Sequence, residues 1–528
     1  MPEASVKRGL VLAAGLMGAF TFISRALGLV REIVRAHFLG TSLMADAFTV
    51  AFMIPNLFRR LVGEGAMTAA SVPVLIDEER AGGRARLAEV VNSFFTLFTF
   101  LLTALCIIFV LAAGILVEHV FARGFAADAE KLALTAELTR YMFFYLLFIG
   151  LAAVLQAALN SFRIFGPSSF HPILMNLSVI LCAIGLSPYF SKPVYAFAIG
   201  VMLGGALQLF FQVPYVRRAG VSLLPSFKWR DPAVMKILRL MVPGLLGAGV
   251  YQINVLLSQM IATYLSEGAV AALQYSARLT EFTLGIVVVA VSTAVLPTFS
   301  GFVSEGRMDK YRETLDFALR LIAFVTIPAT VGLIVIRAPM INLLFKTGRF
   351  DAESVRITAH AFFFHALGLY FIGAGRVLVP AFYSLKDMTT PVKAAILATI
   401  VNLVACLLLM GPLAQGGIAL ANSLSAFAQA AFLVFLLRRR LGRMSGRALG
   451  ASLLRIGLAA ALMGLTGWGM IAGFGLDVET RRLVLIPGLL AVIAVCTLVF
   501  AFASYALKSP EMRDLWAVVR RRFDRRRA

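Results

Sequence analysis

Apolar runs of about 20 residues or more recur along the whole chain, and they restrict its fold more than any other feature. A helix in a soluble domain is apolar along one stripe, whereas a run apolar on every face needs lipid or other such helices around it. Fourteen runs can be delimited, near 9–38, 44–76, 88–118, 133–159, 168–187, 193–216, 234–265, 270–300, 312–336, 354–383, 391–411, 415–437, 448–474 and 483–507. A transmembrane barrel would show short segments of alternating polarity, and these are absent. The expected fold is an all-α polytopic membrane protein with about 14 transmembrane helices. A composition that is 60% hydrophobic and only 14% charged, with mean hydropathy +0.88, fits that class rather than a string of soluble domains.

An even number of spans puts both termini on one side, and the basic residues say which side. Thirty of the 49 Lys and Arg fall in loops on the side of the termini, including Arg80, Arg84, Arg86, the 217–239 loop and the tail from Lys508; nine fall opposite. Both termini are therefore expected in the cytoplasm. The same distribution removes the first use suggested by a net charge of +22. The cations sit at helix ends and in alternate loops, with no basic stripe interleaved with aromatics, so no nucleic-acid partner is expected. The basic tail 509–528 reads as a surface anchor to anionic lipid. The N-terminal MPEASVKRGLVLAAGLMGAF has no convincing cleavage site and reads as a retained first helix. Cys106, Cys182, Cys406 and Cys496 lie singly inside apolar runs, without disulfide or zinc spacing.

The two halves echo each other. FLGTSLMADAFTVAF at 38–52 lies over YLSEGAVAALQYSAR at 264–278, an offset of 226, and Pro73 and Pro297 close the two stretches at nearly the same spacing. The offset spans six segments, so both copies enter the membrane in the same sense, as a parallel repeat. The economical architecture is two pseudo-symmetric six-helix lobes, 1–220 and 221–440, plus two C-terminal helices and a basic tail in 441–528. Pro55, Gly63–Gly65, Pro73, Pro243–Gly244, Pro297, Pro328 and Gly373–Gly375 interrupt apolar segments. Close helix packing and hinge use both account for them.

The stretch 20–77 reads as membrane by hydropathy, yet it carries Arg25, Arg31, Glu32, Arg35, Asp46, Arg59, Arg60 and Glu64. Each arginine at mid-membrane costs about 2.5–3.5 kcal/mol on insertion scales. Arg31 and Arg35 are i,i+4 neighbours, Arg25 and Glu32 share a face two turns apart, and Glu64 is within pairing reach of Arg59 and Arg60. The eighth segment adds Arg278 and Glu281 at i,i+3. Mutual salt bridges, with Arg35 and then Arg60 snorkelling to an interface, would explain part of this. Arg140, Arg320 and Arg455 lie near helix ends and read as snorkelling residues. However, segments 1, 2 and 8 hold six arginines against four carboxylates, Glu32, Asp46, Glu64 and Glu281. Guanidinium forks suit phosphate oxygens, and these segments contain no lysine. The imbalance favours an anion-binding cavity for phosphate or diphosphate on a membrane-borne substrate. Arg376, in GAGR at 373–376, is a further intramembrane arginine for which snorkelling and cavity lining fit equally.

Nothing in the sequence suggests catalysis. The five histidines, His37, His119, His171, His360 and His365, form no metal spacing; HExxH and Walker A sequences are absent. A transporter without catalytic residues, resident metal or cofactor is expected.

SRALGLVRE (24–32), ADAFTVAFMIPNLFRRLVGEGAMTAASVPV (45–74), ARLTEF (277–282), LLFKTGRFD (343–351) and AFYSLKDMTTPV (381–392) together resemble the MurJ (MviN) lipid II flippases. These belong to the multidrug/oligosaccharidyl-lipid/polysaccharide exporter superfamily. The resemblance extends over essentially the whole chain. It implies two six-helix lobes around a central cationic cavity, with the last two helices forming a groove for the lipid tail. It also implies lipid II as substrate, the bacterial cytoplasmic membrane as location and a role in peptidoglycan and cell-wall biogenesis. The family's functional arginines fall on Arg25, Arg31, Arg59 and Arg278, which would bind the diphosphate. Its acidic residues fall on Asp46, Glu64 and Glu281, which with Glu32 would orient the arginines or gate; Arg60 and Arg376 are possible additions. Glu32 stands where the family usually has aspartate. Ala277 stands where an acidic residue often precedes the eighth-helix arginine, so no coupling role carries over to that position. The repeat sets Arg278 opposite Phe52, so the site need not be symmetric.

The expected activity is alternating-access movement of undecaprenyl-diphosphate-linked disaccharide-pentapeptide from the inner to the outer leaflet. Net direction requires an energy source, and membrane potential or a cation gradient is implied. A flippase for another polyprenyl-diphosphate glycan, of the O-antigen type, fits the arginines equally, and only the motif strings favour lipid II. A cation-coupled drug antiporter of the same superfamily would call for a carboxylate-rich cavity. A non-transporting scaffold or receptor would tolerate loss of Arg25 and Arg59 together. A monomer is the simpler expectation, with association with cell-wall synthesis proteins possible.

Overall fold

The computed structural model describes residues 3–62, 66–442 and 446–513, which are helical nearly throughout, with no strand among them. In chain order the helices are α1 (Glu3–Leu39), α2 (Leu43–Val62), α3 (Ala66–Leu116), α4 (Ala129–Phe143), α5 (Tyr145–Ser161), α6 (Gly166–Leu186), α7 (Val194–Arg218) and α8 (Pro232–Ala262). They continue with α9 (Ala269–Ser304), α10 (Met308–Phe345), α11 (Ala352–Ala366), α12 (Leu369–Ser384), α13 (Thr389–Leu413), α14 (Gln415–Leu441), α15 (Gly446–Phe474) and α16 (Arg482–Ala506). Among the described residues, the apolar segments fall on these helices. Among the described residues, nine spans are long and apolar enough to cross a membrane, or ten if the bent pair α11–α12 is one span. The chain is a multi-pass membrane protein. α1 and α2, which carry the arginines, are not among the nine. Large apolar side chains stay exposed on the bundle exterior, for example Leu111, Leu181, Phe210, Leu408 and Leu483, as solvation by lipid tails requires.

The chain forms two compact units, Met1–Ala271 and Ala272–Ala528. Within the first, α6 packs on α1 and α7, α5 on α3 and α7, α4 on α2, and α8 on α2 and α3. Phe109 and Phe143 stack at 4.5 Å in its interior. Within the second, α14 packs against α11, α12 and α13, while α10 packs against α11, α12, α15 and α16. One core there gathers Phe299, Tyr311, Leu319 and Phe382; another joins Phe324 of α10 to Ile456, Met463, Leu489 and Phe500 of the last two helices. The hydroxyl of buried Tyr311 donates to Ala381 O at 2.7 Å, so its burial leaves no orphan. Arg320 was expected to snorkel, but it pairs at 3.6 Å with buried Glu511, which Ser452 and Ser509 also hold. α2 and α9 start 226 residues apart, at Leu43 and Ala269, which is the offset of the sequence repeat.

The prolines do not end their helices: α2, α3, α8, α9 and α10 run on through Pro55, Pro73, Pro243, Pro297 and Pro328. The break inside α3 falls at Gly83, whose φ of 70° and ψ of −171° lie in a region open essentially to glycine. Just beyond it, Arg86 forks onto Asp231 at 2.7 and 2.9 Å and also reaches Glu78 and Glu89, and Lys228 pairs with Glu89. Asp231 caps α8 by accepting from Ala233 N. Burial alone would raise the Asp231 pKa, but the Arg86 fork and the helix amides hold it below the usual carboxylate range. The α3 break is thereby fixed to the start of α8. Gly83→Ala is expected to cost about 1–3 kcal/mol, measured as a lower unfolding midpoint in detergent, because alanine must leave this backbone region.

Candidate functional site

The arginine-rich stretch begins on α1, which carries Arg25 two turns before Glu32, and Arg31 and Arg35 within one turn of that carboxylate. Glu32 is buried and bridges two guanidinium groups, Arg31 at 2.9 Å and Arg35 at 3.1 Å. Arg31 also donates to Asn176 Oδ1 at 3.1 Å, and Asn176 Nδ2 donates to Ser24 O at 3.0 Å, so α6 fastens this part of α1. The expectation that Arg35 snorkels is overturned. It is 5% exposed, because Glu32 one turn earlier compensates its charge inside the bundle. Arg25 is exposed and makes no ion pair among the described residues.

On α2, Arg59 Nε donates to Asn56 Oδ1 at 2.8 Å, and the half-buried Arg60 makes no ion pair among the described residues. Glu64, expected to pair with them, lies outside the described residues. Asp46 is fully buried and lies apart from the arginine pairs. It accepts from Lys131 Nζ at 2.7 Å and from the backbone amides of Gly268 and Ala271 at 2.8 Å each. Lys131 is itself buried on α4, with Nζ 4.1 Å from the Phe125 ring centroid. Glu267 returns the contact by accepting from Leu43 N at 2.7 Å. The start of α2 and the turn 266–271 thus cap each other.

In the second unit, Arg278 Nη1 meets Glu281 Oε2 at 2.7 Å, the i,i+3 pair read from the sequence. Arg376 is half-buried on α12 with no ion pair among the described residues. The structure therefore joins Arg31 to Glu32 and Arg278 to Glu281, and takes Asp46 to Lys131. Sequence reasoning missed Lys131 and Asn176. Asn176 leaves a trace, as a lone amide in the apolar run HPILMNLSVI, whereas Lys131 reads only as a loop cation. Lys131 engages Asp46, so by count three of the four carboxylates in segments 1, 2 and 8 are left to offset the six arginines, and the cationic excess is larger than the sequence suggests.

The family profile described as lipid II flippase MurJ matches residues 35–485. A probable lipid II flippase MurJ of Vibrio cholerae is 37% identical over 440 residues, covering 82% of this chain and 84% of that protein. The lipid II flippase MurJ of Burkholderia cenocepacia is 33% identical over 457 residues, covering 86% and 88%. Among solved structures, a lipid II flippase MurJ in an inward closed conformation aligns with TM-score 0.78 at 24% identity, over 93% of this chain and 99% of that one. An inward-facing multidrug resistance MATE transporter of the MOP superfamily aligns with TM-score 0.67 at 15% identity, over 80% and 96%. These two likenesses concern the fold, whereas the profile and the closer relatives settle descent: the chain belongs to the lipid II flippase MurJ family.

Proposed function

We propose that this protein moves undecaprenyl-diphosphate-linked GlcNAc–MurNAc-pentapeptide from the inner to the outer leaflet of the bacterial cytoplasmic membrane. The observation that carries the reading is the surplus of guanidinium groups on membrane helices, enlarged by the engagement of Asp46 with Lys131. Such a surplus calls for an anion, and family membership supplies a diphosphate lipid as that anion. Arg25, Arg31, Arg59 and Arg278 bind the diphosphate. Glu32 and Glu281 hold Arg31 and Arg278 in place, and Asp46 acts on the α2 entry turn. Transport proceeds by alternating access of two six-helix lobes, both termini lie in the cytoplasm, and the protein works as a monomer without catalytic residues. Membrane potential or a cation gradient sets the direction.

The test uses cells that depend on this copy. Arg25→Ala and Arg278→Ala are each expected to stop growth and outward accumulation of lipid II. Arg25 is exposed and makes no ion pair among the described residues, so its loss should change stability by no more than about 0.5 kcal/mol. Normal growth with normal accumulation would overturn the assignment. Purified protein should also bind lipid II in preference to other polyprenyl diphosphates, and an Arg25/Arg278 double variant should lose that binding.

A further inference from the structure

Between α7 and α8 the chain leaves helical conformation, and residues 221–230 form a strap laid along α3 within the first unit. Its polar groups face that helix. Asn92 bonds to Ser222 Oγ at 3.1 Å, the Ser93 and Ser226 hydroxyls share a bond at 2.8 Å, and Ser226 N donates to Thr96 Oγ1 at 3.0 Å. Lys228 then pairs with Glu89, and Asp231, just past the strap, takes the Arg86 fork. The contacts rise along α3 from Asn92 to Thr96 and fall back to Arg86, so the strap is a shallow loop whose deepest point is near Ser226. Leu223 turns the chain into it with a φ of 55°, a left-handed conformation that a bulky side chain rarely takes and that its surroundings must hold.

The apolar side chains point the other way. Leu224 is 65% exposed and Phe227 66%, and the rings of Phe227, Trp229 and Phe100 of α3 form a triangle with centroids 5.7, 5.9 and 6.2 Å apart. A loop in water would turn such groups inward and its serines outward. This one does the reverse, and its apolar face runs on into Leu101, Ile107 and Ile108, the exposed apolar face of α3. The apolar run of α3 begins just after Ser93. Phe100 lies seven residues beyond that serine, roughly 10 Å at about 1.5 Å per residue, the depth at which amphipathic segments seat their apolar faces at the headgroup boundary.

Guanidinium groups flank the strap. Arg217 and Arg218 end α7 and Arg230 ends the strap; all three are exposed and make no ion pair among the described residues. The carboxylates close by are engaged, Glu78, Glu89 and Asp231 with Arg86, Glu89 also with Lys228, and Asp77 with Lys236. Exposed arginines beside aromatic rings at the edge of an apolar run suit one neighbour: lipid whose phosphates lie level with the arginines and whose acyl chains begin level with the rings. A soluble partner would have to follow the patch down α3 into the bilayer.

We propose that the strap docks the first unit in the headgroup layer of the leaflet at this end of the bundle, the cytoplasmic leaflet on the topology above. Leu224, Phe227 and Trp229 seat below the phosphates, and Arg217, Arg218 and Arg230 select anionic phospholipid. Because the strap ends at Asp231, lipid held there bears on the joint between the α3 break and α8. The test is the fluorescence of Trp229 as sole tryptophan, in full-length protein carrying Trp468→Phe and Trp516→Phe, reconstituted in vesicles of phosphatidylcholine and phosphatidylglycerol. Lipids brominated near the top of the acyl chain are expected to quench it several-fold more than lipids brominated near the chain end, and acrylamide in the buffer should quench it weakly. Strong quenching by acrylamide, or strongest quenching by bromines at the chain end, overturns the docking. With only one lipid brominated at equal fraction, phosphatidylglycerol should quench more than phosphatidylcholine. Arg217→Gln/Arg218→Gln/Arg230→Gln should equalise the two while the depth is kept. Equal quenching with the arginines present, or a preference that survives their loss, overturns the selection of anionic lipid. Should melting show that the two phenylalanine substitutions prevent folding, the difference between wild-type and Trp229→Phe emission isolates the same signal and is read in the same way.

Discussion

Asp46→Asn is expected to lower stability by about 3–5 kcal/mol and to abolish growth of cells that depend on this protein. The size follows from what the carboxylate does. It is fully buried and receives one ammonium and two backbone amides, from Lys131, Gly268 and Ala271. Asparagine keeps one carbonyl oxygen and replaces the other with a donor, which then faces a donor. Lys131, 4% exposed, is left as a buried charge without its counter-ion. If the orphaned charge is the larger part of the loss, Asp46→Asn/Lys131→Met should recover a good fraction of it. The two uncapped amides at the turn 266–271 should keep recovery incomplete. Unfolding midpoints of the wild type, both single variants and the double variant give the coupling directly. An Asp46→Asn loss that Lys131→Met leaves untouched would show that the backbone caps, and not the ion pair, are what Asp46 supplies.

The same residue shows where sequence reading stops. The apolar helices were legible because lipid leaves no alternative to satisfying backbone groups within each segment, and this marks the chain in long unbroken runs. Arg278 and Glu281 were legible because a helix brings i and i+3 together whatever surrounds it. Lys131 was not: it stands 85 residues from Asp46, and in one dimension it is one more cation in a loop. Arg35 was misread for a related reason. Snorkelling presumes that an arginine near the end of a run has nothing closer than the interface, but Glu32 lies one turn away on the buried side. Gly83 was hidden in a charged stretch that reads as a loop, although the chain there is two helices meeting at a single left-handed residue. Local pairing and lipid exposure can be read from sequence; pairings made across helices cannot.

Arg35 and Arg31 can be separated by experiment, and the second large effect does so. Glu32→Gln is expected to cost about 3–5 kcal/mol, since one buried carboxylate compensates two guanidinium groups. The burden should fall unequally. The Arg35 side chain is 6% exposed and Arg31 18%, so Arg31 keeps more contact with solvent when Glu32 is neutralised. Adding Arg35→Met to Glu32→Gln should therefore restore more stability than adding Arg31→Met. Function should divide the other way. If Arg31 binds the diphosphate and Arg35 only shares its carboxylate, Glu32→Gln/Arg35→Met supports growth, whereas Glu32→Gln/Arg31→Met does not, however well it folds. Growth on the Arg31 variant with loss on the Arg35 variant would exchange their roles. The substrate contact would then lie at the more buried guanidinium, which could meet an anion only if α1 and α6 part during transport.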